Sequence, residues 1–407
     1  MVISSRTTGA ITAAIAATAL LAGCAGGGDD EGGTDAAPAD EATPHGYVEG
    51  AEETAGTQPR LVLAESATGR AAVLDLTTED VVEIENAGEV TGMHQDGRFA
   101  YLASAGEEVH VVDGGSWTVD HGDHVHHYRA PAHGLGSLPV GGPTGVHGDA
   151  SVTALTLDDG SVHLLDRAAL DDGRLEETGT AAVSAGAAAV PFEGGLLVPT
   201  AEDGTVEIRD QDGGATTTLE ERCEDARGQA VTRRGAVLGC ADGALLVTHE
   251  DGTFDGVEIP YPDGTGDAAR ATAFTHRPGS DILAARAGDA GVWTLDLAER
   301  TWRLVETGPA LAASTAGDGA TLLVLTEDGV LHAHDSADGS RTASAPLLSS
   351  PPQDDAPAPV IETDTTRAYV NDPAARTVYE IDYNDDLRVA RAFELDFAPD
   401  HMVETGR

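Results

Sequence analysis

From Arg60 onward the chain alternates short apolar runs with turns rich in Gly and Asp, and almost no stretch carries the 3.6-residue period of an amphipathic helix. One unit recurs. A strand of three to five apolar residues reaches a turn, and an alternating strand then closes near an Asp. Copies begin at Leu61, Phe99, Val152, Leu196, Val237, Ile282, Leu322 and Ala368. Their turn residues, Gly69, Gly106, Gly160, Gly204, Gly243, Gly288, Gly329 and Ala375, lie 37 to 54 residues apart. A hairpin repeating at about 40–50 residues is the signature of a β-propeller, each hairpin being the middle pair of a four-stranded blade. One such blade cannot bury both of its faces alone, whereas a closed ring packs each face on a neighbour. The pattern predicts an all-β fold, a single propeller domain over 60–407 with eight blades. Seven blades is the alternative, if the first and last units combine to close the ring. A β-sandwich or a parallel β-helix fits this repeat length less well.

The chain before Arg60 reads differently. Arg6 supplies a positive flank, and the apolar stretch from Ala10 to Leu21 is too short to span a bilayer. Leu21-Ala22-Gly23-Cys24 then matches a lipobox, which predicts a signal peptide over 1–23 and lipid attachment at Cys24. Residues 24–59 are rich in Gly, Ala, Pro and acid, a composition that does not offset its ordering entropy, and they are expected to form a flexible tether. The folded part is thus expected outside the cytoplasmic membrane, held to it only through lipid. In that oxidising setting Cys223 and Cys240 are expected to pair as a disulfide.

The formal charge is −47, from 70 acidic residues against 23 arginines and no lysine. A phosphate backbone is repelled by such a chain, which excludes nucleic-acid binding. No Gly-x-Ser-x-Gly elbow and no EF-hand cluster of acids is present.

Histidine carries the candidate chemistry. Eight of the 15 histidines fall between Met93 and Gly148. His124 and His126 form a His-x-His pair whose rings share one face of a strand, while His127 faces the other way. Neutral imidazole is a preferred zinc donor, and zinc takes four ligands. His94 and His147 each precede a repeat hairpin, at equivalent places on the innermost strands of adjacent blades, beside the channel. The insertion bearing His124 and His126 lies between them, so the three segments are expected to converge on one pocket. Asp149 and Asp123 are candidates for a carboxylate ligand or for orienting an imidazole. His121 and, in the tether, His45 are weaker candidates. His133 and His163 read as solvated loop residues, and His110, His332 and His334 as surface residues of outer hairpins.

The stretches from His45 to Ala51, from Asp120 to His126 and around His147 resemble the AztD-type zinc metallochaperones, exported propeller proteins associated with zinc ABC importers. The resemblance implies a zinc site on the propeller and direct transfer to the importer's solute-binding protein, without catalysis and from a monomer. It also implies a histidine-rich mobile N-terminal region, of which this chain has only His45. In a later repeat Arg227 takes the place that His147 holds in its own. Two other function classes compete on the residues alone: a metal-dependent propeller hydrolase or lactonase, and a protein-binding scaffold. Copper and nickel also accept imidazole-rich sites.

Overall fold

In the computed structural model, the structure describes residues 48, 50–120, 124–200, 203–210, 214–266, 268–352 and 356–406. The segment 1–23 read as a signal peptide, Cys24 and His45, and His121 and Asp123 of the histidine stretch, lie outside the described residues.

The described chain is all-β apart from a five-residue helix, Arg167–Asp171, and one short 3-10 turn. Seven four-stranded antiparallel sheets and two three-stranded ones form among the described residues. In most of them four strands follow one another in chain order, as in Pro143–Gly148, Val152–Leu157, Ser161–Asp166 and, after the short helix, Glu177–Ala182. This is the propeller pattern. The repeat hairpins supply the second and third strands. Second strands such as Phe99–Ser104 and Gly235–Gly239 are buried at every position. They read as continuous apolar runs because both faces meet a neighbouring sheet. The outer strands alternate instead, since they meet solvent: Glu177–Ala182 is exposed at every second residue in most of its length.

The last strand closes the fold on the first. His401–Thr405 pairs antiparallel with Arg60–Ala64, Arg60 opposite Thr405 and Ala64 opposite His401. The sheet Ile282–Arg286, Val292–Asp296 and Thr301–Val305 has three named strands, and Thr275 bridges Ala284 on its free side. Cys223 and Cys240 are joined by a disulfide, with Cα atoms 4.9 Å apart, and both lie in the apolar core with Val190 and Leu238. No helix of the described residues is long and apolar enough to cross a membrane.

The other three-stranded sheet stands apart from this plan. Ser116–Asp120 and Val125–Arg129 form a hairpin inserted after Val109–Asp113, and Glu52–Thr54 adds a third strand to its edge. Residues 52–54 fall in the stretch expected to be tether. They are ordered because the hairpin offers an edge, on which Glu52 lies opposite Arg129 and Thr54 opposite His127.

Candidate metal centre

His94 lies in the strand Val90–Gln95 and His147 in Pro143–Gly148. Each strand carries one bulge, after Val90 and after Pro143, and each then runs in regular register. His94 pairs with Tyr101 and His147 with Ala154, in both cases the third residue of the following strand. The two histidines therefore hold the same position in adjacent sheets. The sequence carries that equivalence as Thr91-Gly92-Met93-His94-Gln95-Asp96 and Thr144-Gly145-Val146-His147-Gly148-Asp149.

Each of the two rings keeps some surface open while protein surrounds most of it. Burial pushes His147 down to about 4, and the charge that His94 would carry pushes it further the same way. Burial lowers His94 too, against the opposing influence of the Pro143 backbone. The pair is neutral at physiological pH. Two neutral imidazoles at equivalent positions of adjacent sheets are of the kind that suits a borderline-soft cation. His147 lines a cavity of about 850 Å³, with Gln95, Gln229, His276, Leu311 and Glu362 among the residues around it.

The second pair is built on the hairpin. His124 and His126 stand on one side of it with ring centroids 4.9 Å apart, edge to face. His126 Nδ1–H donates to Glu53 Oε1 at 2.8 Å, and its ring stacks over Tyr128. His127 points the other way and bonds Thr118 Oγ1 at 3.1 Å. The root of the hairpin is rigid. Arg60 Nη1 donates to the carbonyls of Gly114, Gly115 and Ala130 at 2.7–3.0 Å. The buried Arg98 guanidinium lies 3.7 Å from the centre of the Trp117 ring, which stacks on Tyr128.

Arg98 belongs to a network that the sequence reading passed over. It pairs with buried Asp113 at 2.6 Å and with Asp171 at 3.1 Å. Beside it Asp96, fully buried, accepts from Tyr101 Oη at 2.7 Å, Thr153 Oγ1 at 3.0 Å and Arg167 Nη1 at 3.1 Å. Asp96 follows His94 by two residues, so the network braces the turn beyond it and ties the two sheets together.

Several expectations are corrected. Among the described residues no three or more His, Cys, Asp or Glu side chains gather round one point. No three of His94, His124, His126, His147 and Asp149, expected in one pocket, therefore form such a group. Asp149 is a turn cap: its Oδ1 accepts the N–H groups of Ser151 at 2.8 Å and Val152 at 3.0 Å. His334 is buried, its Nδ1–H bonded to the Gly339 carbonyl at 3.1 Å, and is not a surface residue. Arg227 precedes its inner strand Gln229–Thr232 and is out of register with His147. Two further histidines were missed. His276 lines the channel cavity. His401, in the strand His401–Thr405, meets Ser66 Oγ at 3.0 Å, and burial lowers its pKa.

No protein-family model matches the sequence, and no curated protein matches it. Solved structures do. A crystal structure of Citrobacter koseri AztD superposes with a TM-score of 0.71 at 20% identity, over 86% of this chain and 99% of that one. Apo AztD from the same organism gives 0.72 at 18% identity, over 86% and 98%. The fold is that of AztD. The likeness extends to nearly all of AztD, whereas the dihydro-heme d1 dehydrogenase NirN reaches a TM-score of 0.52 at 13% identity and is covered over 75% of its length. Beyond the AztD fold, the chemistry rests on this chain's own histidines.

Proposed function

We propose that this protein is an exported zinc carrier, not an enzyme. It holds Zn(II) on histidines of an eight-bladed propeller and passes it to the solute-binding protein of a zinc ABC importer. The carrying observation is the His94–His147 pair: two imidazoles at one repeated position in adjacent sheets, both kept neutral by burial. The AztD fold supports the reading. The eight-blade count is supported by the sheets other than the inserted hairpin, with Thr275 marking the fourth strand of the shortest one.

In this reading the two pairs are two stations. The channel pair is the holding site, where burial excludes competing protons. The hairpin pair, with His121 and Asp123 as further donors, is the exposed site that a recipient reaches. Transfer proceeds by ligand exchange, recipient histidines replacing the donor's one at a time. Export through residues 1–23, lipid on Cys24 and the tether ahead of the propeller would keep the carrier beside the importer as a monomer.

The test is a competition titration of the metal-stripped protein with a zinc chelator, followed by mixing the loaded protein with the importer's binding protein. One tight equivalent, lost in His94→Ala/His147→Ala and delivered to the recipient faster than by free diffusion, is the expected result. Weak binding of several equivalents, unchanged by that variant, would sink the carrier reading.

A further inference from the structure

We infer that Glu53 is a positioning residue for the hairpin pair, and that the strand carrying it sets the metal affinity of that pair by docking and leaving. The inference rests on the carrier reading above. Its observations are local. Glu53 belongs to a three-residue strand and stands 73 residues before His126 in the chain, and its Oε1 accepts the Nδ1–H of His126 at 2.8 Å. With the proton fixed on Nδ1, the lone pair of His126 sits on Nε2, the nitrogen that would meet a metal. A carboxylate behind a histidine in this way raises its basicity and holds its ring angle, and losing such a partner costs roughly 10–100-fold in metal affinity.

The strand is short. Among the described residues it pairs with the hairpin at three positions, Glu52 with Arg129, Glu53 with Tyr128 and Thr54 with His127. Its added bonds are the exposed Glu52–Arg129 ion pair at 2.9 Å and a Thr54 Oγ1–H donated to the His127 carbonyl at 3.3 Å. Exposed ion pairs add little. The hairpin beneath is anchored through Arg60, Arg98 and Trp117, so it keeps its shape when the strand leaves. Docking therefore supplies the carboxylate, and undocking withdraws it. Zinc is bound more tightly with the strand in place and released more readily without it.

The experiment uses the full chain carrying His94→Ala/His147→Ala, so that the hairpin pair alone is read. Zinc affinity is measured by chelator competition in three further variants, and the tautomer of His126 is read without metal by long-range proton–nitrogen NMR. Glu53→Gln is expected to lower zinc affinity by about 10–100-fold and to release the Nδ1–H tautomer. Thr54→Pro, which blocks strand pairing while leaving the carboxylate in the chain, is expected to do the same. Glu52→Gln, which removes only the Arg129 ion pair, is expected to stay within about threefold of the parent. The inference is overturned if Glu53→Gln binds zinc within about twofold of the parent, or if Glu52→Gln weakens it as much as Glu53→Gln does. A parent that binds no zinc overturns the inference but not the channel site, whose tight equivalent this variant is expected to lose. The carrier reading fails instead if the unsubstituted chain binds no tight equivalent, and the metal-free tautomer measurement reads the Glu53 contact separately from both.

Discussion

The channel pair and the hairpin pair use the same side chain in opposite ways. His94 and His147 are part of the propeller's repeat: their strands, bulges and turns are the regular inner edges of adjacent sheets, and protein surrounds the rings. Their neutrality comes from desolvation and, at His147, also from His94. His124 and His126 sit on an insertion, nearer solvent, and His126 is oriented by a carboxylate brought from another part of the chain. The fold holds the first pair. A few tertiary contacts hold the second. A carrier needs both behaviours, since a site that only holds cannot hand over and a site that only hands over cannot protect its cargo.

The strongest way to break the comparison is through Arg98, which serves both regions. It is buried, paired with buried Asp113, and stacked under Trp117 at the base of the hairpin. Arg98→Ala leaves Asp113 charged and uncompensated, at a cost of about 3–5 kcal/mol in unfolding free energy by urea denaturation. It should also loosen the hairpin, seen as a changed Trp117 fluorescence environment. Next comes His147→Ala. If structural zinc binding of about 10–16 kcal/mol is shared over four ligands, one ligand is worth about 3 kcal/mol, or about a hundredfold in affinity. Chelator competition should show that loss for His147→Ala and a smaller one for His124→Ala.

The disulfide provides a contrast of another kind. Cys223→Ser/Cys240→Ser removes a cross-link between positions 17 residues apart, remote in the chain from either pair. It should cost about 3 kcal/mol of stability, by chemical denaturation, while leaving zinc affinity unchanged. An effect on affinity would mean that the stations are less independent than described.

Acid sharpens the comparison further. In the folded protein His147 is held near 4, below the ordinary histidine value of 6.5, because the neutral ring is favoured. The unfolded chain therefore takes up a proton that the folded chain refuses. The stability this gives the neutral folded form is complete above about pH 6.5 and is lost as pH falls toward 4. In metal-free protein, His147→Gln should flatten the fall of unfolding free energy in that window by about one proton's worth. The smallest effect is expected at His163, whose Nδ1 meets Glu177 at 3.1 Å on an outer strand. His163→Ala should move stability by no more than about 0.5 kcal/mol and zinc affinity not at all.

Most of the fold was legible because it is periodic. Runs apolar at every position marked second strands, alternation marked outer ones, and Gly/Asp turns marked the hairpins. The equal register of His94 and His147 was legible for the same reason, as was the shared face of His124 and His126, a consequence of the two-residue period of a strand. What was not legible depends on contacts between distant segments. Glu53 lies in a stretch whose average composition describes a tether, yet three of its residues find an edge to pair with. The position of the inserted hairpin is set by Arg60, Arg98 and Trp117, which no periodicity links to the histidines. Asp149 lies beside the candidate histidines, while the Ser two residues on marks the turn it caps. Asp96, in the same repeated motif, carried the larger network and drew no notice, because its partners Tyr101, Thr153 and Arg167 are spread along the chain.

The central claim is that the channel pair holds the metal. Anomalous diffraction at the zinc edge, on crystals of protein loaded with one equivalent, locates the ion directly. A single peak between the rings of His94 and His147 is the predicted result. A peak at an outer-strand histidine such as His332 or His163, or zinc spread over many partial positions, would contradict the account.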